Sequence, residues 1–216
     1  IEFWGKPNDG KPDGPMYRDP AFQHTDASSL VTDSSSYFLS VNINQSGFMI
    51  FDASNDVSSN TLPVEPYFMH KVGTYFRGRM NQGFAAVVGE YVYSSSYDKG
   101  EFWSSGTFGP AGPLVSTLNN LYVNNSGPAS TLKFGAVGNA LNPRTVKVAI
   151  NGTQVLDTLM DYFNDVHAAI SFPTALISSN SAAVRFTNGA TINTDRIVVS
   201  YYELTYPRLF DFDGKK

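Results

Sequence analysis

The fold class of this chain is decided by the stretch Val146-Lys147-Val148-Ala149-Ile150-Asn151-Gly152. Its β-branched residues occupy every second position up to Ile150, so one face of an extended segment is apolar and fit for burial. Asn151 and Gly152 then tolerate the positive φ angles that a two-residue type I′ turn requires. The stretch therefore predicts a β-strand that reverses at Asn151 and Gly152 to form a hairpin.

Strand-like runs extend in both directions from this hairpin. In the second half of the chain they are Thr131 to Ala136, His167 to Phe172, Ala183 to Phe186 and Ile197 to Leu204. In the first half they are Tyr37 to Val41, Phe48 to Phe51, Tyr67 to Met69, Thr74 to Phe76 and Phe84 to Tyr93. The only helix-like stretch of the sequence is Leu156 to Asn164. Short strands separated by turns are typical of sandwiches and jelly rolls, so we predict an all-β chain that forms a jelly-roll-like β-sandwich.

The run Ile197 to Tyr206 is predicted to be a long central strand. Its β-branched and aromatic residues fit a pleated, half-buried surface. Pro207 cannot donate a ladder hydrogen bond, so we expect it to close the strand. Beyond it, Phe210 and Phe212 alternate with acidic residues as a new strand would. Residues 209–216 are therefore expected to be the start of a truncated following domain or a linker.

The 216 residues are enough for either one large β domain or two small ones. We expect residues 1–208 to form a β-sandwich region. The Gly- and Pro-rich residues 109–113 break any regular pattern and make the best internal boundary, although a long surface loop explains them equally well. A second β subdomain formed by the N-terminal half is therefore left open. Both ends of the sequence resemble cuts in a longer polypeptide.

Composition narrows the function classes. A formal net charge of −4 with scattered basic residues lacks the positive stripe that nucleic-acid binding needs, so nucleic acid is not an expected partner. The sequence contains no cysteine, which excludes disulfide bonds and thiolate metal sites. Its aromatic residues (14%), 18 glycines and 12 prolines suit strands joined by turns. It has no apolar run near the length of a membrane span, so no span is expected.

Three segments carry a resemblance to a known family. They are Val92 to Ser105 (VYSSSYDKGEFWSS), Ile1 to Gly10 (IEFWGKPNDG) and Tyr201 to Arg208 (YYELTYPR). Together they resemble the region upstream of the catalytic domain in gingipain-type (C25) cysteine-peptidase-like proteins, including the sortase-like members of the type IX secretion system. Such proteins attack peptide bonds with a Cys–His dyad. Because this chain has no cysteine, it is predicted to be a non-catalytic part of such a protein.

The resemblance also implies a location and partners. It implies an exported protein at the outer surface of a Gram-negative bacterium, associated with type IX secretion or gliding motility. The expected partners are the adjacent peptidase-like domain of the same polypeptide and a cell-surface protein or glycan. On this interpretation the chain is a structural and interaction module, and it is not an enzyme.

A carbohydrate-binding module of a secreted enzyme is the alternative interpretation. Exposed aromatic rings stack on the apolar faces of sugars, and the chain is rich in aromatic residues. Trp103, in a Gly- and Ser-rich loop, and Tyr97 beside it are the candidate ligand-binding residues. The aromatic residues that alternate along strands, Tyr37, Phe38, Phe134, Phe172 and Phe186, are expected in the core.

Calcium is the one cofactor that the sequence leaves open. Asn8, Asp9 and Asp13 lie close together among glycines, and their oxygen atoms are the ligands that calcium prefers. They do not follow the spacing of a known calcium loop, and a solvated turn uses the same residues. Any calcium held there would be structural.

The remaining chemistry-bearing residues are expected to be structural. His24, His70 and His167 lie far apart without metal-ligand spacing, and no catalytic serine motif is present. A glycosidase needs two facing carboxylates, which any β protein with this many acids offers. The acids that could form such a pair are Asp98, Glu101, Asp157, Asp161, Asp165, Asp195 and Glu203.

Overall fold

The structure is a computed structural model that describes residue 5 and residues 8–32, 34–38, 40, 58–82, 98–177 and 180–212. Ten strands lie in this part of the chain: β1 (Phe68–Tyr75), β2 (Arg79–Gln82), β3 (Glu101–Ser104), β4 (Leu114–Asn119), β5 (Ser130–Gly138), β6 (Thr145–Ile150), β7 (Thr153–Leu159), β8 (Asp165–Phe172), β9 (Ser181–Asn188) and β10 (Ile197–Arg208). Short 3₁₀ helices cover Lys11–Met16, Pro20–Phe22 and Thr174–Leu176. Within the same ranges, no helix has the length and apolar character needed to cross a membrane.

The strands form a jelly-roll-like sandwich, as predicted. One antiparallel sheet has the order β1-β10-β5-β8, the other has the order β4-β9-β6-β7, and β2 pairs with β3. From β4 onward the chain passes repeatedly between the two large sheets, with the β6–β7 hairpin contained in the second. The protein is therefore an all-β sandwich.

The core lies between the two large sheets. Phe134 on β5, Phe186 on β9 and Tyr202 on β10 are fully buried there. The ring of Phe186 lies 5.3 Å from that of Phe134 and 5.9 Å from that of Tyr202. Burying each such side chain contributes roughly 1.5–3 kcal/mol, so contacts between these rings hold the sheets together.

The predicted hairpin is confirmed. Asn151 has φ of 47° and Gly152 has φ of 85°, the signs that a type I′ turn requires. The turn returns the chain along β6 as strand β7, where Thr153 pairs with Ile150. The predicted helix at Leu156 to Asn164 is therefore wrong, because pairing with β6 holds Thr153–Leu159 extended and overrides a weak local helix preference.

Replacing Gly152 by valine should lower the free energy of unfolding by about 1–2 kcal/mol. A β-branched residue resists positive φ, and nothing lies within 4 Å of an added Cβ, so backbone strain is the expected cause. Urea denaturation of Gly152→Val and Gly112→Val measures this, since Gly112 also has open space around it. Equal stability of the two variants would contradict the turn assignment.

Strand β10 is central, as predicted, but it extends past Pro207 to Arg208. Asn124 donates its N–H to the Pro207 carbonyl, and the Asn124 carbonyl accepts the N–H of Gly127 instead of the one that proline lacks. The turn at Asn124 thus compensates for the missing donor. On the other side, Pro207 lies opposite Met69 of β1, so the strand continues through the proline.

The strands and core residues predicted in the first half of the chain are confirmed only in part. The two predicted runs at Tyr67 to Met69 and Thr74 to Phe76 lie at the two ends of one strand, β1, which leaves out Tyr67 and Phe76. Tyr37 and Phe38 lie in no strand and are 52% and 97% exposed, so their predicted core positions are wrong. Two adjacent aromatic residues would project to opposite faces of a strand and do not specify a partner strand. The runs predicted at Phe48 to Phe51 and Phe84 to Tyr93 lie outside the described residues.

The N-terminal segment, defined as residues 8–32, packs across the outer face of the first sheet. The Trp103 indole donates to the Ser29 carbonyl at 3.0 Å, and Arg77 donates to the Ala27 carbonyl at 2.7 Å. Tyr17 and His24 of this segment are buried, although the segment contains no strand. Residues 109–113 lie between β3 and β4, and just before them Phe108 pairs with Ile197 of β10.

Candidate functional site

Four side chains that sequence reasoning kept apart meet on the outer face of the first sheet. Asp165 Oδ2 lies 3.1 Å from His167 Nε2 and 3.7 Å from His24 Nε2. One ligand atom from each of these three residues falls within 4.8 Å of the other two. Ser200 Oγ lies 2.7 Å from His24 Nδ1. We call these four residues the His–Asp cluster.

Strand geometry places two members of the cluster on one face. Val166 and Ala168 of β8 pack against the core. Since side chains alternate along a strand, Asp165 and His167 project to the opposite, outer face. This Asp-x-His pattern is the one signal in the sequence that could have indicated a two-ligand arrangement.

Gly135 makes room for the third member. It lies opposite His167 in the β5–β8 ladder. A Cβ at this position would lie 2.6 Å from His24 Nδ1 and 2.5 Å from Ser200 Oγ. Any side chain at Gly135 would therefore displace the imidazole of His24. The register shift between Val199 and Tyr201 falls at Ser200, whose hydroxyl lies against the same imidazole.

His24 is buried by aromatic contacts. Its ring stacks on Phe102 of β3 with centroids 4.1 Å apart, and it meets the His167 ring edge-on at 4.0 Å. The residue is 5% exposed, whereas His167 is open to solvent. The N-terminal segment is thus attached to the sheet through a buried imidazole.

Ser200 connects His24 to strand β5. Its Oγ lies 3.1 Å from the Gly135 carbonyl oxygen and 2.7 Å from His24 Nδ1. Which of the two atoms donates in the contact with His24 follows from the tautomer of the ring. Nε2 is buried and makes no hydrogen bond. The nearest Asp165 carboxylate oxygen, 3.7 Å away, lies beyond hydrogen-bond distance of Nε2.

Burial sets the charge states in the cluster. It lowers the pKa of His24 from 6.5 to about 4, and the charge of His167 acts in the same direction, while Asp165 and the Lys99 carbonyl oppose the shift. Burial alone would raise the pKa of Asp165, but the His167 and His24 imidazoles outweigh it and hold this pKa well below its usual range. At neutral pH the cluster thus pairs a neutral His24 with an ionised carboxylate.

Acid should destabilise the metal-free protein through His24. Because its pKa of about 4 in the folded state lies below the unfolded value of 6.5, the unfolded chain binds the proton first as pH falls. The contribution of His24 to the free energy of unfolding is fully present above pH 6.5 and is lost as the pH falls toward 4. Between about pH 7.5 and 5 the loss is about 2 kcal/mol. The Asp165 shift acts only at lower pH. Urea denaturation in chelator checks this, and an unchanged pH slope in His24→Gln would contradict it.

The His–Asp cluster has the residue types of a Ser–His–Asp catalytic triad, but a substrate cannot reach its serine. Ser200 is 1% exposed, and its hydroxyl hydrogen is held by the Gly135 carbonyl. A nucleophile must reach the substrate, so this serine is not arranged to attack one. Two imidazole nitrogens and a carboxylate oxygen are instead the donor set of a divalent transition metal.

The structure places Trp103 on strand β3 rather than in a loop. Its indole is half-buried, and its Nε1–H is used by the Ser29 carbonyl. In this position it anchors the N-terminal segment. Tyr97, the other predicted ligand-binding residue, lies outside the described residues. Ligand binding by Trp103 and Tyr97 stays a prediction.

The three predicted calcium ligands have separate surroundings. Both Asp13 oxygens accept hydrogen bonds, from Ser29 Oγ at 2.9 Å and from the Leu30 N–H at 2.7 Å, and the residue is buried. Asp9 accepts from the Lys11 N–H, and Asn8 Nδ2 donates to the Thr32 carbonyl. Asp13 therefore shapes its own loop. Calcium binding by Asn8, Asp9 and Asp13 stays a prediction.

The carboxylates considered for a glycosidase are distributed among structural pairs. Asp195 is fully buried against Arg144. Asp157 pairs with Lys147, Asp98 with Arg18 and Glu203 with Lys71. Asp161 accepts the backbone N–H of Arg144. Asp165 alone among the candidates lies in a cluster with two imidazoles.

Comparisons with known proteins assign no family. No family model matches the chain, and no curated protein matches it. Dimeric latent PorU from Porphyromonas gingivalis is similar in structure over 70% of this chain, at 10% identity and a TM-score of 0.49. The chain spans only 14% of the length of that PorU chain.

Two further solved structures are sugar-binding domains. The carbohydrate-binding module CBM36, in complex with calcium and xylotriose, matches 62% of this chain and 98% of its own at 10% identity, with a TM-score of 0.36. The C-terminal domain of EclA, a sugar-binding protein, matches 78% of this chain and 99% of its own at 12% identity, with a TM-score of 0.34. At these TM-scores the likenesses do not define a function.

Proposed function

We propose that the chain is a non-catalytic structural and interaction module that packs against a gingipain-like peptidase domain of the same exported polypeptide and positions it. On this proposal residues 1–208 act as one module, and residues 209–216 lead toward the neighbouring domain. The protein would lie at the outer surface of a Gram-negative bacterium and take part in type IX secretion or gliding motility. The resemblance in Val92 to Ser105 and Tyr201 to Arg208 supports this assignment.

One surface feature carries the proposal. Leu209, Phe210 and Phe212 are 40%, 53% and 51% exposed. The rings of Phe210 and Phe212 lie 5.0 Å and 6.0 Å from that of Phe68. We call these four residues the aromatic patch. Clustered apolar side chains on a surface mark interaction sites, and burial against a second domain would be favourable at about 25 cal/mol per Å².

The position of the aromatic patch favours a neighbouring domain as its occupant. The patch follows directly on β10, the strand that pairs with both β1 and β5 in the first sheet. A domain joined to this strand and seated on the patch would be fixed relative to the sandwich, since its connection would leave little freedom. The peptidases of this type use a thiolate, and this chain contains no cysteine, which fits a non-catalytic role.

The proposal is tested in the natural polypeptide that contains this chain. The variant with Phe210→Ser and Phe212→Ser should expose the junction after Arg208 to limited proteolysis, while Phe38→Ser, which changes an isolated ring that is 97% exposed, should leave it resistant. Equal resistance of the two variants would count against docking. Peptide hydrolysis by the isolated chain that survives repurification would also overturn the proposal.

Carbohydrate binding is the second candidate, and a different surface supports it. Tyr75 and Tyr201 stack with ring centroids 5.4 Å apart on the outer face of the first sheet. Beside them Glu203 accepts from Tyr75 Oη at 2.8 Å and lies 3.5 Å from Lys71 Nζ. Aromatic rings beside polar groups are typical of a sugar-binding surface. A glycan array decides this: binding that is lost in Tyr75→Ala would favour this function over docking.

A further inference from the structure

We propose that His24, Asp165 and His167 bind a divalent transition metal ion, with Zn²⁺ as the best fit, and that this ion fastens the N-terminal segment to strand β8. The site is independent of the aromatic patch, and its role would be structural.

The spacing of the ligand atoms fits a tetrahedral site. Bond lengths of about 2.0–2.2 Å to nitrogen and oxygen imply about 3.4 Å between neighbouring ligand atoms. Asp165 Oδ2 lies 3.1 Å from His167 Nε2 and 3.7 Å from His24 Nε2. The three ligand atoms all lie within 4.8 Å of one another. Small side-chain rotations would bring all three to one ion.

The buried nitrogen of His24 is the second and independent indication. Its Nε2 makes no hydrogen bond, although it has almost no contact with solvent. When Nδ1–H donates to Ser200 Oγ, Nε2 carries a lone pair on the side of a carboxylate oxygen 3.7 Å away. In that tautomer a cation between the nitrogen and the carboxylate would bind both atoms. It would also give the buried nitrogen the partner that it lacks.

The surroundings of His24 are those of a metal-binding imidazole. Ligating histidines almost always donate their other ring N–H to a fixed acceptor, which sets the tautomer and the ring orientation. Here Ser200 Oγ is that acceptor, and it is itself held by the Gly135 carbonyl. Gly135 leaves the space that the ring occupies. Thus the ring is oriented before any ion binds.

The donor set and exposure favour Zn²⁺. Imidazole suits zinc and copper, whereas calcium and magnesium prefer all-oxygen sites. His167 is open to solvent, so water can fill the fourth position. The ligands come from the N-terminal segment and from β8, which are far apart in sequence. An ion there would join the irregular segment to the sandwich and stabilise the folded state.

The test uses the full 216-residue chain, treated with chelator and then titrated with ZnSO₄. We expect one Zn²⁺ per chain by calorimetry and a rise in Tm of about 5–10 °C at about 100 times the Kd. Neither CaCl₂ nor MgCl₂ should produce the rise. Binding of less than about half an ion per chain, or an equal response to calcium, would overturn the proposal.

Matched variants assign the site. His167→Gln changes a solvent-open ligand and is expected to fold, and it should weaken Zn²⁺ binding at least about tenfold, the smallest loss that even an outer-shell change causes. His70→Gln, a histidine of β1 outside the cluster, should bind as the unaltered chain does. A Co²⁺-loaded sample should show the visible absorption of tetrahedral cobalt and lose it in His167→Gln. Equal affinity of the two variants would overturn the assignment.

Discussion

Replacing Asp195 by alanine should lower the free energy of unfolding by about 3–5 kcal/mol, the cost of leaving one partner of a buried ion pair without the other. The side chains of Asp195 and Arg144 are both fully buried. Arg144 Nε donates to Asp195 Oδ1 at 2.6 Å and its Nη2 donates to Oδ2 at 2.8 Å. The guanidinium has no route to solvent, so in Asp195→Ala its charge would stay buried and unpaired.

The network around this pair makes the loss larger than that of a single contact. Asp195 also accepts from Asn188 Nδ2 at 2.7 Å and from Asn142 Nδ2 at 3.0 Å. The rest of the guanidinium binds the carbonyls of Ala140, Met160 and Tyr162. The pair thus ties together three loops at one end of the sandwich.

Urea denaturation of Asp195→Ala beside Asp157→Ala checks this prediction. Asp157 and its partner Lys147 are 36% and 41% exposed, so loss of that pair should cost under about 1 kcal/mol. A similar small loss in both variants would show that the Arg144 charge is relieved in some other way.

The second large effect is expected at Tyr202. Tyr202→Ala should lower the free energy of unfolding by about 3–5 kcal/mol, because it removes a fully buried ring that packs on Phe186. The Tyr202 hydroxyl accepts from Thr74 Oγ1 of β1 at 2.9 Å and is hydrogen-bonded to Ser116 Oγ of β4. It therefore links the two large sheets.

Tyr202→Phe separates packing from hydrogen bonding. It keeps the ring and leaves the two hydroxyl partners unsatisfied, which should cost about 1–3 kcal/mol. Thermal or urea unfolding of both variants measures the two contributions. A loss in Tyr202→Phe as large as in Tyr202→Ala would mean that the hydrogen bonds, and not the ring, hold the sheets together.

The sequence predicted strand β6 and its turn correctly, because side-chain alternation is regular there. The alternation of Phe210 and Phe212 with acidic residues did not indicate a strand, since residues 209–212 lie in none. Val146, Val148 and Ile150 are all buried, as their spacing indicated. Asn151 and Gly152 have the expected positive φ values. Prediction failed at Leu156 to Asn164, because the local preference of a short segment is weaker than its pairing with β6.

The candidate site was beyond the reach of sequence reasoning for a different reason. His24 lies in a segment without regular structure, and its approach to Asp165 and His167 depends on the absence of a side chain at Gly135. No spacing rule connects such residues. The Asp-x-His pattern of β8 could be read from the sequence, but it supplies only two ligands, and a pair of that kind is common.

The buried ion pair between Arg144 and Asp195 could not be predicted from the sequence either. Asp195 was one of several acids with no distinguishing neighbour in the sequence, yet it forms the fully buried pair with Arg144. Its partner precedes β6 and Asp195 precedes β10, so only the crossing of the chain between the sheets brings them together. Such pairs follow from topology rather than from local pattern.

Docking of a neighbouring domain on the aromatic patch is tested by hydrogen exchange measured in the isolated chain and in the longer polypeptide that the proposal requires. We expect the amides of Phe68 to His70 and Leu209 to Phe212 to exchange more slowly in the longer polypeptide, while those of the exposed β6–β7 turn are unchanged. Equal exchange of the patch amides in both samples would contradict the claim.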